Sequence, residues 1–244
     1  MFIHQGKRRN LRHNLQIASL LSFVAGLVNV AGFLAVQKLT TNVTGHFAFF
    51  VDEVYQFRFW NGLVYFGYIF FFFLGSFASS FLVELMTRRN LLYIYIVPTS
   101  IEIVILASVA VYGPEMAIHN PDLLACSLLF AMGLQNSLVT RISNATVRTT
   151  HLTGLFTDLG IELSQLFFNS QPELRSKLWS SIRLRLTIIS YFFIGGTIGG
   201  LFYPLLGIRI LYIGAAALLL GLVYHSVKLR LLLLRRKYST SRRQ

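Results

Sequence analysis

The chain has 244 residues, room for one large domain or two small ones, and is 55% hydrophobic and only 13% charged. That balance excludes a soluble globule, whose overall composition is about 25% charged, and the lone Cys126 excludes an internal disulfide framework. The net charge of +13 sits in the two tails and at the ends of apolar runs, where it anchors topology and marks no nucleic-acid partner. The composition predicts an all-α integral membrane protein.

In chain order, residues 1–14 form a basic cytoplasmic N-terminus carrying Lys7, Arg8, Arg9 and Arg12. Six apolar runs are long enough to span about 30 Å of hydrocarbon as helices. They are Leu15–Val36, Phe59–Leu85, Leu91–Tyr112, Leu123–Val139, Leu186–Leu206 and Ile210–Val227. The first is too long for a signal peptide and lacks a small-residue cleavage site. Two segments between the runs are weaker. Thr40–Gln56 is apolar only briefly and ends in Asp52 and Glu53; Thr149–Phe168 has a helical pattern but carries His151, Asp158 and Glu162. Residues 228–244 form a second basic cytoplasmic tail, suited to anionic lipid headgroups.

Charge placement bears on the number of crossings. With six crossings and a cytoplasmic N-terminus, 19 of the 22 basic residues lie inside, and only Lys38, Arg58 and Arg209 lie outside. If the two weaker segments also cross, the split falls to 16 against 6. The positive-inside rule therefore predicts six transmembrane helices plus two shorter polar or re-entrant segments, with both termini cytoplasmic.

The chain also repeats itself. Gly26-Leu27-Val28-Asn29 returns as Gly133-Leu134-Gln135-Asn136, and Thr40-Thr41-Asn42-Val43-Thr44-Gly45 returns as Thr149-Thr150-His151-Leu152-Thr153-Gly154. Phe72-Phe73-Leu74-Gly75 with Ser76, Ser79 and Ser80 returns as Phe192-Phe193-Ile194-Gly195 with Gly196, Gly199 and Gly200. These anchors define a membrane repeat 1 over residues 15–113 and a membrane repeat 2 over residues 121–227. Three crossings per half put the second half in upside down, the inverted duplication found in many transporters.

The polar residues within this frame are the candidates for function. In each T-T-x-x-T-G segment a threonine can cap a helix start, and the glycine allows close backbone approach. Such a segment either lines a wet cavity at membrane depth or is an ordinary surface loop. The candidate pathway residues are Asn29, Thr40, Thr41, Thr44, Gly45 and His46 in the first half, and Gln135, Asn136, Thr149, Thr150, His151, Thr153 and Gly154 in the second. His151, Asp158 and Glu162 share one helix face, either toward a cavity or along a solvated interface. Two carboxylates one turn apart would raise each other's proton affinity. Glu102, near the middle of its run, is either a functional carboxyl or a protonated one bonded to a neighbouring helix. Gly75/Ser79 and Gly195/Gly199 have the small-xxx-small spacing of helix packing. No metal is expected, because neither His46 nor His151 has a ligand partner at i+3 or i+4.

The stretch Ala131-Met132-Gly133-Leu134-Gln135-Asn136, followed by Thr149-Thr150 and Leu152-Thr153-Gly154, is similar to the YoaK-type family of uncharacterised bacterial multi-spanning membrane proteins. Gly26 through Thr44-Gly45 is similar as well, and the likeness covers most of residues 15–227. That family generally has Asp where Asn29 stands and Asn where His46 stands. The resemblance implies a bacterial inner-membrane protein of the same fold, without an assigned activity.

Function follows as an expectation. No G-x-x-x-x-G-K-S/T, G-x-S-x-G or H-E-x-x-H motif occurs, so no enzyme and no cofactor are expected. The leading expectation is a small transporter or permease for an unknown small solute. The alternative is a non-transporting scaffold, assembly or lipid-binding protein, and oligomerisation stays open.

Overall fold

The computed structural model describes residues 11–88, 95–143 and 147–224. The elements are α1 (Leu11–Val36), α2 (Thr44–Tyr55), α3 (Phe59–Arg88), α4 (Ile96–His119), α5 (Pro121–Ser143), α6 (Leu152–Phe168) and α7 (Pro172–Leu206). A 3-10 turn, Gly207–Ile210, and a last helical stretch at 211–224 complete the described chain. Arg89 and most of both predicted basic tails lie outside the described residues.

Among the described residues five stretches are long and apolar enough to cross a membrane: Asn14–Val36, Phe59–Arg88, Ile96–His119, Pro121–Arg141 and Pro172–Tyr224. They mark a multi-pass membrane protein. The outer face of α3 agrees, with exposed Phe73, Phe77 and Phe81 stacked at ring-centroid distances of 6.4 Å and 5.9 Å. A ladder of exposed rings is an aggregation liability in water and an ordinary surface in hydrocarbon.

Local chemistry sets most element ends. Pro172 opens α7 with its fixed φ, and Glu173 in the first turn complements the helix dipole. α1 stops where Gln37 takes a left-handed φ of 55° and donates its N–H to Phe33 O at 2.8 Å, turning the chain back. Phe57, with φ 61°, turns α2 into α3 in the same way. The fifth apolar run differs from its prediction, because the helix begins at Pro172 rather than Leu186. At 35 residues α7 is about 52 Å long, well beyond about 30 Å of hydrocarbon. Its first turns are polar and helical, a combination that apolar length does not detect.

Two helix pairs form the centre, α1 against α7 and α3 against α5. Both are glycine crossings at backbone contact. A Cβ on Gly26 would collide with the carbonyl oxygen of Phe192, and one on Gly195 with that of Phe23. In the other pair a Cβ on Gly133 would strike Phe72 O, and one on Gly75 would strike Phe130 O. Ser76 Oγ adds a hydrogen bond to Gly133 O at 3.1 Å. The crossings bury Leu21, Leu27, Leu128 and Met132 almost completely. α4 packs on α5 and on the 3-10 turn, where Ile208 fills the space beside Gly113. The short helices α2 and α6 lean on α3 and α7 respectively.

Candidate functional site

The two T-T-x-x-T-G segments double back along the helices they have just left. Thr40 Oγ1 donates to Val28 O at 3.2 Å and Thr41 Oγ1 donates to Asn29 Oδ1 at 2.7 Å. Val28 lies about 12 Å before the end of α1, at 1.5 Å rise per residue. In the second segment Gln135 Nε2 donates to Thr149 Oγ1 at 3.1 Å and Asn136 Nδ2 donates to Thr150 Oγ1 at 2.5 Å. Gln135 lies about 12 Å before the end of α5. Its amide also reaches Leu21 O at 3.0 Å, joining this layer to α1. Gly32 makes room for the first clasp, since a Cβ there would run into the Thr40 hydroxyl.

These contacts correct the expected capping role. The caps of α2 and α6 are Val43 and His151, and among the described residues neither makes a side-chain cap bond. Thr44 and Thr153 are already helical and exposed, while Thr40, Thr41 and Thr149 are buried clasps between loop and helix. Asn42 Oδ1 accepts from Gly45 N–H at 3.2 Å and performs what the threonines were expected to do. Each glycine of the frame lies under a loop side chain: Leu39 over Gly45 and the His151 ring over Gly154. Asn29 and Asn136 each bind a threonine of their own half.

The second segment opens onto a cavity of about 410 Å³ between α6 and the polar start of α7. Arg148, His151, Gly154, Leu155, Asp158, Ser181, Leu184 and Arg185 line it. Arg185 organises the wall. Its Nε and Nη2 donate to Glu162 at 2.9 Å each, and its Nη1 pairs with Asp158 at 3.0 Å. Ser181 Oγ donates to Glu162 at 2.6 Å. The shared arginine relieves the carboxylate repulsion that the spacing predicts. Burial works against ionising Glu162, but the hydrogen bonds from Arg185 and Ser181 and the arginine's charge outweigh it, and hold the carboxyl below its ordinary range.

The sequence pattern singles out His151, Gly154, Asp158 and Glu162; it does not single out Arg148, which shares the cavity lining, or Ser181 and Arg185, which bind the two carboxylates. The available signal was Arg185 itself, a cation at the mouth of an apolar run, within reach of an acidic neighbouring helix. By local position alone such a cation reads as a topological anchor. The structure does not bring the first-half residues into this cavity. His46 is fully buried; its Nε2 donates to Leu39 O at 2.5 Å and its ring lies 4.7 Å from that of Tyr68. Tyr68 in turn donates to Asp122 at the start of α5. Glu53 pairs with Arg58 at 2.8 Å and accepts from Asn61 at 3.3 Å.

Glu102 is buried within α4, and its Oε1 has no hydrogen-bond partner among the described residues. The expected bond to a neighbouring helix is therefore not made at that oxygen. Ser79 is buried without a partner for its hydroxyl among the described residues, as a small packing residue can be. Among the described residues no three His, Cys, Asp or Glu side chains assemble as a metal ligand set.

No curated protein and no solved structure matches the chain. The sequence model of the family described as protein of unknown function (DUF1275) matches residues 17–224, from the first turns of α1 to the end of the described chain. The match agrees with the resemblance to an uncharacterised family, although it carries no YoaK-type designation. Spanning both glycine crossings and both doubled-back segments, it places the chain in the DUF1275 family of proteins of unknown function.

Proposed function

We propose that this protein is a small-solute transporter of the bacterial inner membrane, built from two inverted halves, with its solute site in the α6–α7 cavity. The carrying observation is that cavity, about 410 Å³ and lined by paired charges, beside a segment that folds back toward the bundle centre. Irregular backbone at membrane depth is tolerated where protein buries it or where it lines a wet space. Support for inversion comes from the paired crossings, in which Gly26–Phe192 and Gly133–Phe72 join the same positions of the repeated anchors. Six crossings follow if Gly207 divides Pro172–Tyr224 into two spans, leaving α2 and α6 as re-entrant helices. Both termini are then cytoplasmic, and the cavity faces the cytoplasm.

A non-transporting scaffold is the second reading. It is favoured by the first segment, where Thr40, Thr41 and Asn29 spend their polar groups on helix α1 and on each other. Uptake measured across a panel of small metabolites separates the two. A deletion strain complemented with the wild-type chain should regain uptake of at least one solute, and complementation with Arg185→Ala should not. Equal uptake by all strains, with both proteins present in the membrane, would leave the scaffold standing.

A further inference from the structure

The lining of the α6–α7 cavity sets two guanidinium groups, Arg148 and Arg185, against one carboxylate, Asp158. The two arginines differ in what they still have to give. Arg185 is locked from behind by Glu162, which takes Nε and Nη2 at 2.9 Å each and is itself held by Ser181. Among the described residues Asp158 meets only Nη1, at 3.0 Å, and half of its side chain is exposed, whereas that of Glu162 is 14% exposed. Arg148 is exposed, and its guanidinium makes no hydrogen bond or ion pair with a described residue. A planar guanidinium fixed along one edge aims its remaining N–H groups in a set direction, the arrangement suited to carboxylate and phosphate oxygens.

The geometry points to an oxyanion site: a carboxylate or phosphate group displaces Asp158 from Nη1 of Arg185 and takes its second contact from Arg148. Glu162 is the positioning residue, because it orients Arg185 without facing the ligand. Asp158 is a built-in competitor for the same donor. A cavity of about 410 Å³ admits a small organic anion or one lipid headgroup and excludes larger solutes. The inference rests on reading this cavity as the solute site, and it narrows the occupant to anions. Two sources carry the required chemistry, a free anion from the aqueous phase and the phosphate of an anionic lipid.

The test is direct binding to the full-length protein. Titration calorimetry in detergent with inorganic phosphate and with succinate covers the free anions. Nanodiscs of phosphatidylglycerol against phosphatidylcholine, read by retained lipid, cover the headgroup. Wild-type protein should bind at least one of these oxyanions saturably. Asp158→Asn should tighten binding several-fold by removing the competitor. Arg148→Ala should weaken it about tenfold, and Arg185→Lys, which keeps the charge but loses the planar fork, by a similar factor. Glu162→Gln should weaken binding while the protein stays folded, since Arg185 is then no longer aimed. Retention of phosphatidylglycerol with no response to phosphate or succinate upholds the oxyanion site and removes the transport reading. Saturable binding of a free anion without any uptake does the same. Weaker or unchanged binding in Asp158→Asn, or no saturable binding by any of the three probes, overturns the inference.

Discussion

At the crossing of α1 and α7, a methyl group added to Gly195 would occupy the space of the Phe23 carbonyl oxygen, which belongs to a helix backbone and cannot swing aside. Gly199, one turn on, is looser, since its Cβ would lie 3.2 Å from Leu27 O, and a Cβ at Gly160 would meet no atom of the described residues within 4 Å beyond its own stretch of helix. Three alanine substitutions of identical chemistry should therefore diverge. Gly195→Ala should destabilise by about 1–3 kcal/mol through overpacking, and Gly199→Ala should cost less. Gly160→Ala should be neutral or stabilising by up to about 1 kcal/mol, because glycine is a poor helix residue. Thermal unfolding in detergent reads the order, and equal melting temperatures for Gly195→Ala and Gly160→Ala would show that the backbones do not touch. The small-xxx-small spacing made Gly195 and Gly199 legible as packing residues. The same spacing occurs in the facing helices, as Ser22/Gly26 and Gly133/Ser137, but it carries no sign of which helices meet, because that pairing joins segments far apart in sequence.

Glu162 ties helix α6 to α7 through Arg185 and Ser181, and those bonds hold its carboxyl below the ordinary value of 4.5. The unfolded chain then binds more protons than the folded one in that range, so stability rises with pH there. The contribution is complete above the ordinary carboxylate value and is lost as pH falls through the lowered one. Glu162→Gln should therefore melt below the wild type near neutral pH, and the gap should close as the pH drops below about 4.5. A gap unchanged by acid would place the stabilisation in packing rather than in charge. The acidic face of α6 was legible from the spacing of Asp158 and Glu162. The arginine that neutralises it was not, since Arg185 lies 23 residues further along and on another helix.

For the molecule as a whole, the proposed inversion makes a test of sidedness. Thr44 and Thr153 are both exposed at the starts of α2 and α6, and Cys126 is the one cysteine in the chain. On a Cys126→Ser background, Thr44→Cys should react with an impermeant thiol reagent added outside whole cells. Thr153→Cys should react only in inverted vesicles. Reaction of both from one side would sink the inverted arrangement, while a silent pair would mean that both helix starts face lipid.

Helix content, the membrane environment and the approximate bounds of the long helices, except the start of α7, were determined by the sequence alone. They depend on apolar length and on polar punctuation, which are local properties of a chain that must satisfy its backbone within itself in hydrocarbon. The repeated anchors were visible for the same reason, as residues in a fixed local order. Which helices cross, and that Thr40 and Thr149 fold back about 12 Å along α1 and α5 rather than cap the next helix, was decided only by tertiary structure. So was the cavity, whose walls come from Arg148, Asp158 and Arg185 on three different parts of the chain. A side chain's partner is set by the packing of helices far apart in sequence, and no local pattern carries that distance.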